Sequence, residues 1–346
     1  MRHILDPDSA NLQAWLADQG QPTYRARQVE KWLFTRRATS FEPMSDLPRS
    51  LREALTAEFA IWTSRVSKIA RSADGTEKLL LQLDRGGSVE CVLLRDGGRR
   101  SICLSSQVGC GMGCRFCASG LGGFQRNLTS GEMIEQMLWL QTRLPADERL
   151  THVVMMGMGE PLANLQNVLA ALDRASSPSG LGISPRRITI STVGLPAAID
   201  RLAKREPRYH LAVSLHAPND RLRNELAPVN QQYGLRRILE AADGYFEASG
   251  RRLTFEYVLL GGINDRPEQA RQLAALLRGR PMLLNVIPYN PVPDLPYREP
   301  SRAAILRFQQ ILEEQGLVVH RRRRKGADIA AACGQLRRSS TSPVSF

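Results

Sequence analysis

The stretch Gln107-Val-Gly-Cys110-Gly-Met-Gly-Cys114-Arg-Phe-Cys117 constrains this chain more than any other, because it places three thiols within eight residues. On a helix, spacings of four and three would put all three on one face, as in an ordinary stripe of small core residues. Gly109, Gly111 and Gly113 argue against that reading. Each glycine costs a helix roughly 1 kcal/mol, and each suits a loop bending round a ligand. Clustered thiolates hold zinc or an iron–sulfur cluster. A closed zinc site wants four ligands, and neither a His nor a fourth Cys follows nearby. Three thiolates suit three corners of a [4Fe-4S] cube and leave the last iron open to an outside ligand.

The spacing Cys-x3-Cys-x2-Cys, with Phe116 just before the last Cys, resembles the signature of the radical S-adenosylmethionine (SAM) enzymes. The resemblance implies that the open iron takes the amino and carboxylate groups of SAM. With three of the six cysteines clustered, cysteine usage points to metal and redox chemistry rather than a disulfide scaffold. The opening Met1-Arg-His-Ile-Leu-Asp-Pro-Asp lacks the apolar run of a signal peptide, and no 18-residue apolar stretch occurs. A cytoplasmic protein without a membrane partner is expected.

Lys plus Arg exceeds Asp plus Glu by 47 − 34 = 13. Arginine pairs at 36–37, 99–100, 186–187, 236–237 and 251–252, and the run 321–324, supply much of that surplus. Any single pair reads as solvated surface. The total points to a polyanion, because phosphate neutralisation with counterion release drives most non-specific nucleic-acid affinity.

Residues 1–60 carry short helical patterns, with Trp15, Trp32 and Phe34 as core candidates and basic residues on the other side. They are expected to form an accessory, RNA-binding domain. Residues 61–100 hold two strand-like runs from Lys78 and from Ser88, joined through Asp84-Arg-Gly-Gly as a hairpin. From 101 to 336, strand patterns at 101–106, 152–156, 188–192, 210–215, 253–260 and 282–287 alternate with helical ones near 130–143, 163–174, 196–204, 234–248, 267–278 and 301–315. Such alternation predicts an α/β fold with a parallel sheet, and six units predict a partial (β/α)6 TIM-like barrel rather than the closed eight. Residues 337–346 read as a disordered tail.

In parallel barrels the loops after the strands form the active-site face. Here those loops carry the three cysteines, then Gly157-Met-Gly-Glu160, Ser191-Thr-Val-Gly, Ser214-Leu-His216, Gly261-Gly-Ile-Asn-Asp and Ile287-Pro-Tyr-Asn290. All six are therefore expected at one pocket. Taken alone, Gly-x-Gly-Glu-Pro is equally a strand-ending turn, and His216 equally a structural histidine. By the residues alone, Glu90 is an outward-facing strand carboxylate and Cys333 a small buried hydrophobe.

Taken together, these motifs are similar to the RlmN/Cfr-type radical SAM methyltransferases, which modify an adenine in large-subunit (23S) ribosomal RNA. The likeness runs from about residue 22 to 336 through Cys103-Leu-Ser-Ser-Gln-Val-Gly-Cys110, Gly123-Phe-Gln-Arg-Asn-Leu, Gly157-Met-Gly-Glu-Pro-Leu, Ser214-Leu-His and Gly326-Ala-Asp-Ile-Ala-Ala-Ala-Cys-Gly-Gln-Leu. The resemblance implies that Cys110, Cys114 and Cys117 hold one [4Fe-4S] cluster. It places SAM, two molecules per turnover, on Gly159, Glu160, Ser191, Ser214, Leu215, His216 and Asn290. It makes Cys333 a methyl carrier, Cys103 its resolving partner and Glu90 a proton-transfer group, while Cys91 stays a packing residue. Gly111 departs from relatives that carry Pro or Ala there. Also implied are a monomer, an electron donor such as flavodoxin or ferredoxin, methylation at adenine C2, and a tRNA as a further substrate. Two alternatives stay open at this stage: methylation at C8, and a non-catalytic iron–sulfur RNA-binding sensor.

Overall fold

The computed structural model describes residues 1–6, 11–205, 208–293, 295–322 and 324–337. The tail from 338 lies outside the described residues.

The first sixty residues pair β1 (Arg2–His3) in parallel with β2 (Phe59–Ala60) and form three short helices, α1 (Leu12–Asp18), α2 (Tyr24–Glu30) and α3 (Arg49–Glu58). A π-helical turn over Lys31–Thr35 extends α2. Leu16, Val29, Leu33, Phe34, Leu51 and Leu55 are buried as the helical spacing requires. Trp15 and Trp32 sit at the rim instead. Trp15 meets Phe59 edge-on at 5.1 Å. Trp32 donates its indole N–H to Asp46 at 2.6 Å and carries the Arg36 guanidinium on its face, which satisfies its polar edge without burial.

Next comes an antiparallel meander, β3 (Ser64–Arg71), β4 (Glu77–Leu83) and β5 (Ser88–Asp96), hydrogen-bonded through β5 to β6 (Arg99–Cys103). The cysteine segment follows, flanked by the short pair β7 (Gln107–Gly109) and β8 (Phe124–Asn127). Parallel strands then alternate with helices: α4 (Ser130–Gln141), β9 (His152–Met155), α5 (Leu165–Ser176), β10 (Ile188–Thr192), α6 (Pro196–Lys204) and β11 (His210–Ser214). The series continues with α7 (Asp220–Leu226), α8 (Asn230–Ser249), β12 (Leu253–Leu259), α9 (Pro267–Leu277), β13 (Met282–Pro288), α10 (Arg302–Glu314) and β14 (Val319–Arg321). Gly234 at φ +68° interrupts α8, and Asp220 accepts from the Leu235 amide at 2.7 Å, so the regular helix starts where the apolar period does.

One sheet holds ten strands in the order β14-β13-β12-β11-β10-β9-β6-β5-β4-β3. Six β/α units from β6 to α10 make the partial barrel, and the edges of the sheet do not meet. The register sorts its two faces. Ile102, Val153, Ile188, Ile190, Val213, Phe255, Tyr257, Leu284 and Val286 alternate onto one face, each fully buried. That is the face covered by helices. The other face aligns Cys103 with Val154, Ser191 with Ala212, Ser214 with Glu256, and Glu256 with Asn285. A barrel interior that is polar rather than filled with aliphatic side chains is built for a ligand.

The start of β3 is fastened to the barrel by a buried carboxylate on α4. Glu135, 1% exposed, accepts from the Thr63 and Ser64 amides at 3.0 and 2.9 Å, from both hydroxyls, and from the Trp139 indole. Replacing Glu135 by Ala orphans these donors. Unfolding in denaturant should show a loss of about 3 kcal/mol, against under 1 kcal/mol for an exposed carboxylate such as Glu53.

Candidate active site

The cysteine loop is held shut by backbone geometry that only glycine permits. Gly109 sits at φ +77°, and a Cβ there would lie 1.8 Å from the Gly123 carbonyl oxygen. Inside the loop the Cys117 amide donates to the Cys114 carbonyl at 3.2 Å, and the Arg115 amide to the Leu226 carbonyl at 2.9 Å. Cys110, Cys114 and Cys117 all face one cavity of about 160 Å³. Among the described residues no three His, Cys, Asp or Glu converge as a single metal ion requires. Burial raises all three thiols, Cys110 to about 11, so thiolates would form there only beside a cationic partner. Three such sulfurs on one wall fit an iron–sulfur cluster.

The same cavity is also lined by Gly159, Glu160, Ser191, Ser214 and His216. Gly159 lies at φ +95°, where a Cβ would stand 2.5 Å from Gln107. Glu160 accepts from the Leu162 amide at 3.0 Å and the Val193 amide at 2.8 Å, and burial shifts its pKa upward. It therefore braces the turn while lining the cavity. His216 adopts φ +60°, stacks edge-on against Phe116 at 4.8 Å and accepts the Val258 N–H on Nδ1 at 3.1 Å. That bond fixes the proton on Nε2. Burial, aided by the Arg223 charge, lowers its pKa to about 3, so it stays neutral.

Two residues expected beside these do not line that cavity, nor does the expected loop at 261–265. The Leu215 side chain is fully buried, its N–H donates to the Glu256 carbonyl and its carbonyl accepts from Arg223. Asn290 lines a second cavity of about 900 Å³, where its side chain donates to the Cys333 carbonyl at 3.0 Å. Its own Oδ1 is buried without a hydrogen-bond partner.

Cys103 faces that second cavity, and Cys333 belongs to the walls of both. The Cys103 thiol is pushed up to about 12 by burial and then by the nearby Cys333 charge. Glu90 lies on the same sheet face as Cys103, because Cys103 pairs with Val92, two residues along β5. Glu90 lines neither cavity: one oxygen pairs with Lys78 Nζ at 2.8 Å and the other accepts from the Arg337 amide at 3.0 Å. Cys91 alternates to the opposite face and is fully buried, as a packing residue would be.

Three charged residues escaped the sequence reading. Arg223 is fully buried and ties the carbonyls of Val193, Ser214 and Leu215, fixing the ends of two strands. Glu256 and Arg322 reach into the barrel 3.9 Å apart, with Arg322 on both cavity walls. The signal for Glu256 was alternation within an apolar strand, which cannot say which face is inside, while Arg223 on its short helix and Arg322 in its basic run read as surface. The run 321–325 is correspondingly split: Arg321 is exposed, Arg322 points inward, and Lys325 bonds the Arg95 carbonyl. Arg323 lies outside the described residues.

The glycine requirement is testable. Gly109→Ala should fold, as judged by circular dichroism, yet retain less than about a tenth of the wild-type iron and sulfide after anaerobic reconstitution, because a clash of this size moves the loop base.

Comparison with known proteins bears on this site. Residues 104–274 match the family model of the radical SAM superfamily, and residues 3–61 that of the ribosomal RNA large subunit methyltransferase N-terminal domain. A probable dual-specificity RNA methyltransferase RlmN of Rhodopirellula baltica is 66% identical, over 97% of this chain and 91% of that one. The dual-specificity RNA methyltransferase RlmN of Marinobacter nauticus is 43% identical over 96% and 92%. A radical SAM methyltransferase from Sphaerobacter thermophilus superposes with a TM-score of 0.92 at 42% identity, covering 94% of this chain and 96% of that one. With relatives this similar along nearly its whole length, this chain belongs to the RlmN family of radical SAM RNA methyltransferases.

Proposed function

We propose that this enzyme methylates C2 of an adenine in 23S rRNA, and an adenine in tRNA, through a carbon carried on Cys333. The observation that carries the reading is the position of Cys333 on the wall shared by two cavities, one lined by the cluster cysteines and the other by Cys103. A carrier between two chambers must touch both.

Cys110, Cys114 and Cys117 would hold the [4Fe-4S] cluster, with Gly159, Glu160, Ser191, Ser214 and His216 around SAM and the Leu215 backbone and Asn290 at its margin. When bound, the cluster supplies the electron that makes SAM a source of a carbon radical. Adenine C2 is electrophilic, so it cannot attack a SAM methyl directly, and the protein's own sulfur supplies the missing nucleophile. Cys333, as thiolate, displaces the methyl from a first SAM, forming its C–S bond as S-adenosylhomocysteine leaves. After a second SAM has been spent, the carrier methyl, short of one hydrogen atom, bonds to the adenine carbon. Cys103 or Glu90 takes the ring proton as one electron passes to a one-electron acceptor, a role the oxidised cluster would fill; Glu90 must first part from Lys78 and Arg337. Cys103 then attacks the Cys333 sulfur, the sulfur–carbon bond breaks with its electron pair going to the methylene carbon, that carbon takes a proton from solvent, and the methylated base departs as a disulfide forms. Two-electron reduction restores both thiols.

The larger cavity supports entry of a nucleotide from the Cys103 side, where Arg99, Arg302, Arg321 and Lys325 line it. Their phosphate contacts would offset the few kcal/mol that unstacking an adenine costs. Reduction by a flavodoxin- or ferredoxin-like donor, action as a monomer and a cytoplasmic setting complete the reading. Among the described residues no helix is long and apolar enough to cross a membrane.

Anaerobic turnover with rRNA and tRNA fragments, read by nucleoside mass spectrometry, should yield 2-methyladenosine; 8-methyladenosine would place the chemistry at the other carbon. Cys333→Ala should lower product by at least about a thousandfold with iron content unchanged. Cys103→Ala should accumulate a covalent RNA–protein adduct visible on a denaturing gel, and normal turnover of either variant would defeat the scheme.

A further inference from the structure

Lys78 and Glu90 occupy neighbouring strands, β4 and β5, and share the sheet face of Cys103. Lys78 pairs with Val92 in register, Val92 pairs with Cys103, and Glu90 is two residues along from Val92. Both side chains are nearly enclosed, at 12% and 10% exposure, and pair at 2.8 Å. Each also reaches the segment that bears Cys333. Lys78 Nζ donates to the Ala330 carbonyl at 2.9 Å, and Glu90 accepts from the Arg337 amide at 3.0 Å. Cys333 stands three residues after the first anchor and four before the second.

A second observation points the same way. Ala330 adopts the left-handed conformation, φ +50°, which a residue with a Cβ takes only where its surroundings impose it. The carbonyl so turned is the one Lys78 holds. Upstream, Asp74, at the turn between β3 and β4, accepts from the Gly326 amide at 2.9 Å. The three-stranded meander β3–β5 therefore grips the segment at 326, 330 and 337.

We propose that Lys78 is a positioning residue for methyl transfer: with Glu90 it forms a clasp that fixes both ends of the Cys333 segment between the two cavities. The proposal rests on the reading of Cys333 as carbon carrier for its functional meaning, though not for its structural content. Nearly buried and desolvated, the pair cannot lose one member without leaving the other charge unmatched. Neutralising Lys78 therefore frees both anchors at once, because Glu90 then seeks water and drops the Arg337 amide.

The test compares wild type, Lys78→Met, Lys78→Arg and Cys333→Ala as reconstituted full-length enzymes. In hydrogen–deuterium exchange, Lys78→Met should speed exchange over residues 326–337 by on the order of tenfold, with the barrel strands and iron content unchanged. RNA methylation should lose kcat by a similar factor while KM for SAM holds, and Lys78→Arg should regain most of both. Wild-type exchange over 326–337 in Lys78→Met, or acceleration spread evenly over the barrel, overturns the proposal. If Lys78→Met does not fold, Asp74→Ala at the exposed turn poses the same question with the same two outcomes at Gly326. Normal methylation by Cys333→Ala would overturn the carrier reading while leaving the exchange result to judge the clasp by itself.

Discussion

The amide of Ala118 donates to the carbonyl of Gly334 at 2.8 Å, and the hydroxyl of Ser119 to that of Leu336 at 2.7 Å. These two bonds join the loop of three thiols to a segment more than two hundred residues further along. The rest of the site depends on that junction. Without it Cys333 would be a cysteine near the chain end with no reason to face the cluster loop. With it, one sulfur borders two chambers, and everything else in the barrel orients groups toward one chamber or the other.

The junction works because the sheet is both open and two-faced. Aliphatic residues alternate outward onto the helices and supply the apolar burial, at about 25 cal/mol per Å², that stabilises the frame. That leaves the inward positions free to be Ser191, Ser214, Glu256 and Asn285. A closed eight-stranded barrel fills this space with side chains. Six units and unjoined sheet edges leave room for the larger cavity, which Arg322, Lys325 and the Cys333 segment line. Charge follows the same division: the cavity of the cluster cysteines carries the carboxylates of Glu160 and Glu256 and a neutral His216, while the Cys103-side cavity is lined by several arginines and Lys325.

Much of this was legible in the residues. The glycine-spaced cysteines, the six strand–helix units and the polar loops after each strand follow from periodicity and turn chemistry; five of those loops meet at one cavity, while the loop at 261–265 lines neither cavity. The helix expected from 234 does begin there, behind Gly234. What stayed hidden shares one cause, since linear patterns do not report which chain segments meet. β3 was missed because an edge strand bearing Arg65, Lys68 and Arg71 toward solvent has no apolar period, and charge on an edge guards against pairing with other chains. Arg223 looked like one more surface arginine. Arg322 sat inside a basic run and reads as surface until the register of β13 and β14 turns it inward. Glu90 and Cys333 took their meaning from family resemblance, and the structure adds that they are mechanically linked through Arg337.

The account stands on one claim, that the carbon reaching the RNA first rests on the Cys333 sulfur and gives up a hydrogen atom there. Turnover with SAM bearing a fully deuterated methyl group, followed by mass spectrometry of the methylated nucleoside, measures this directly. A carrier methyl that has lost one hydrogen atom can deliver at most two deuterons, so the product should carry a CHD2 group. A product retaining all three deuterons would mean that the methyl moved intact, and would contradict the account.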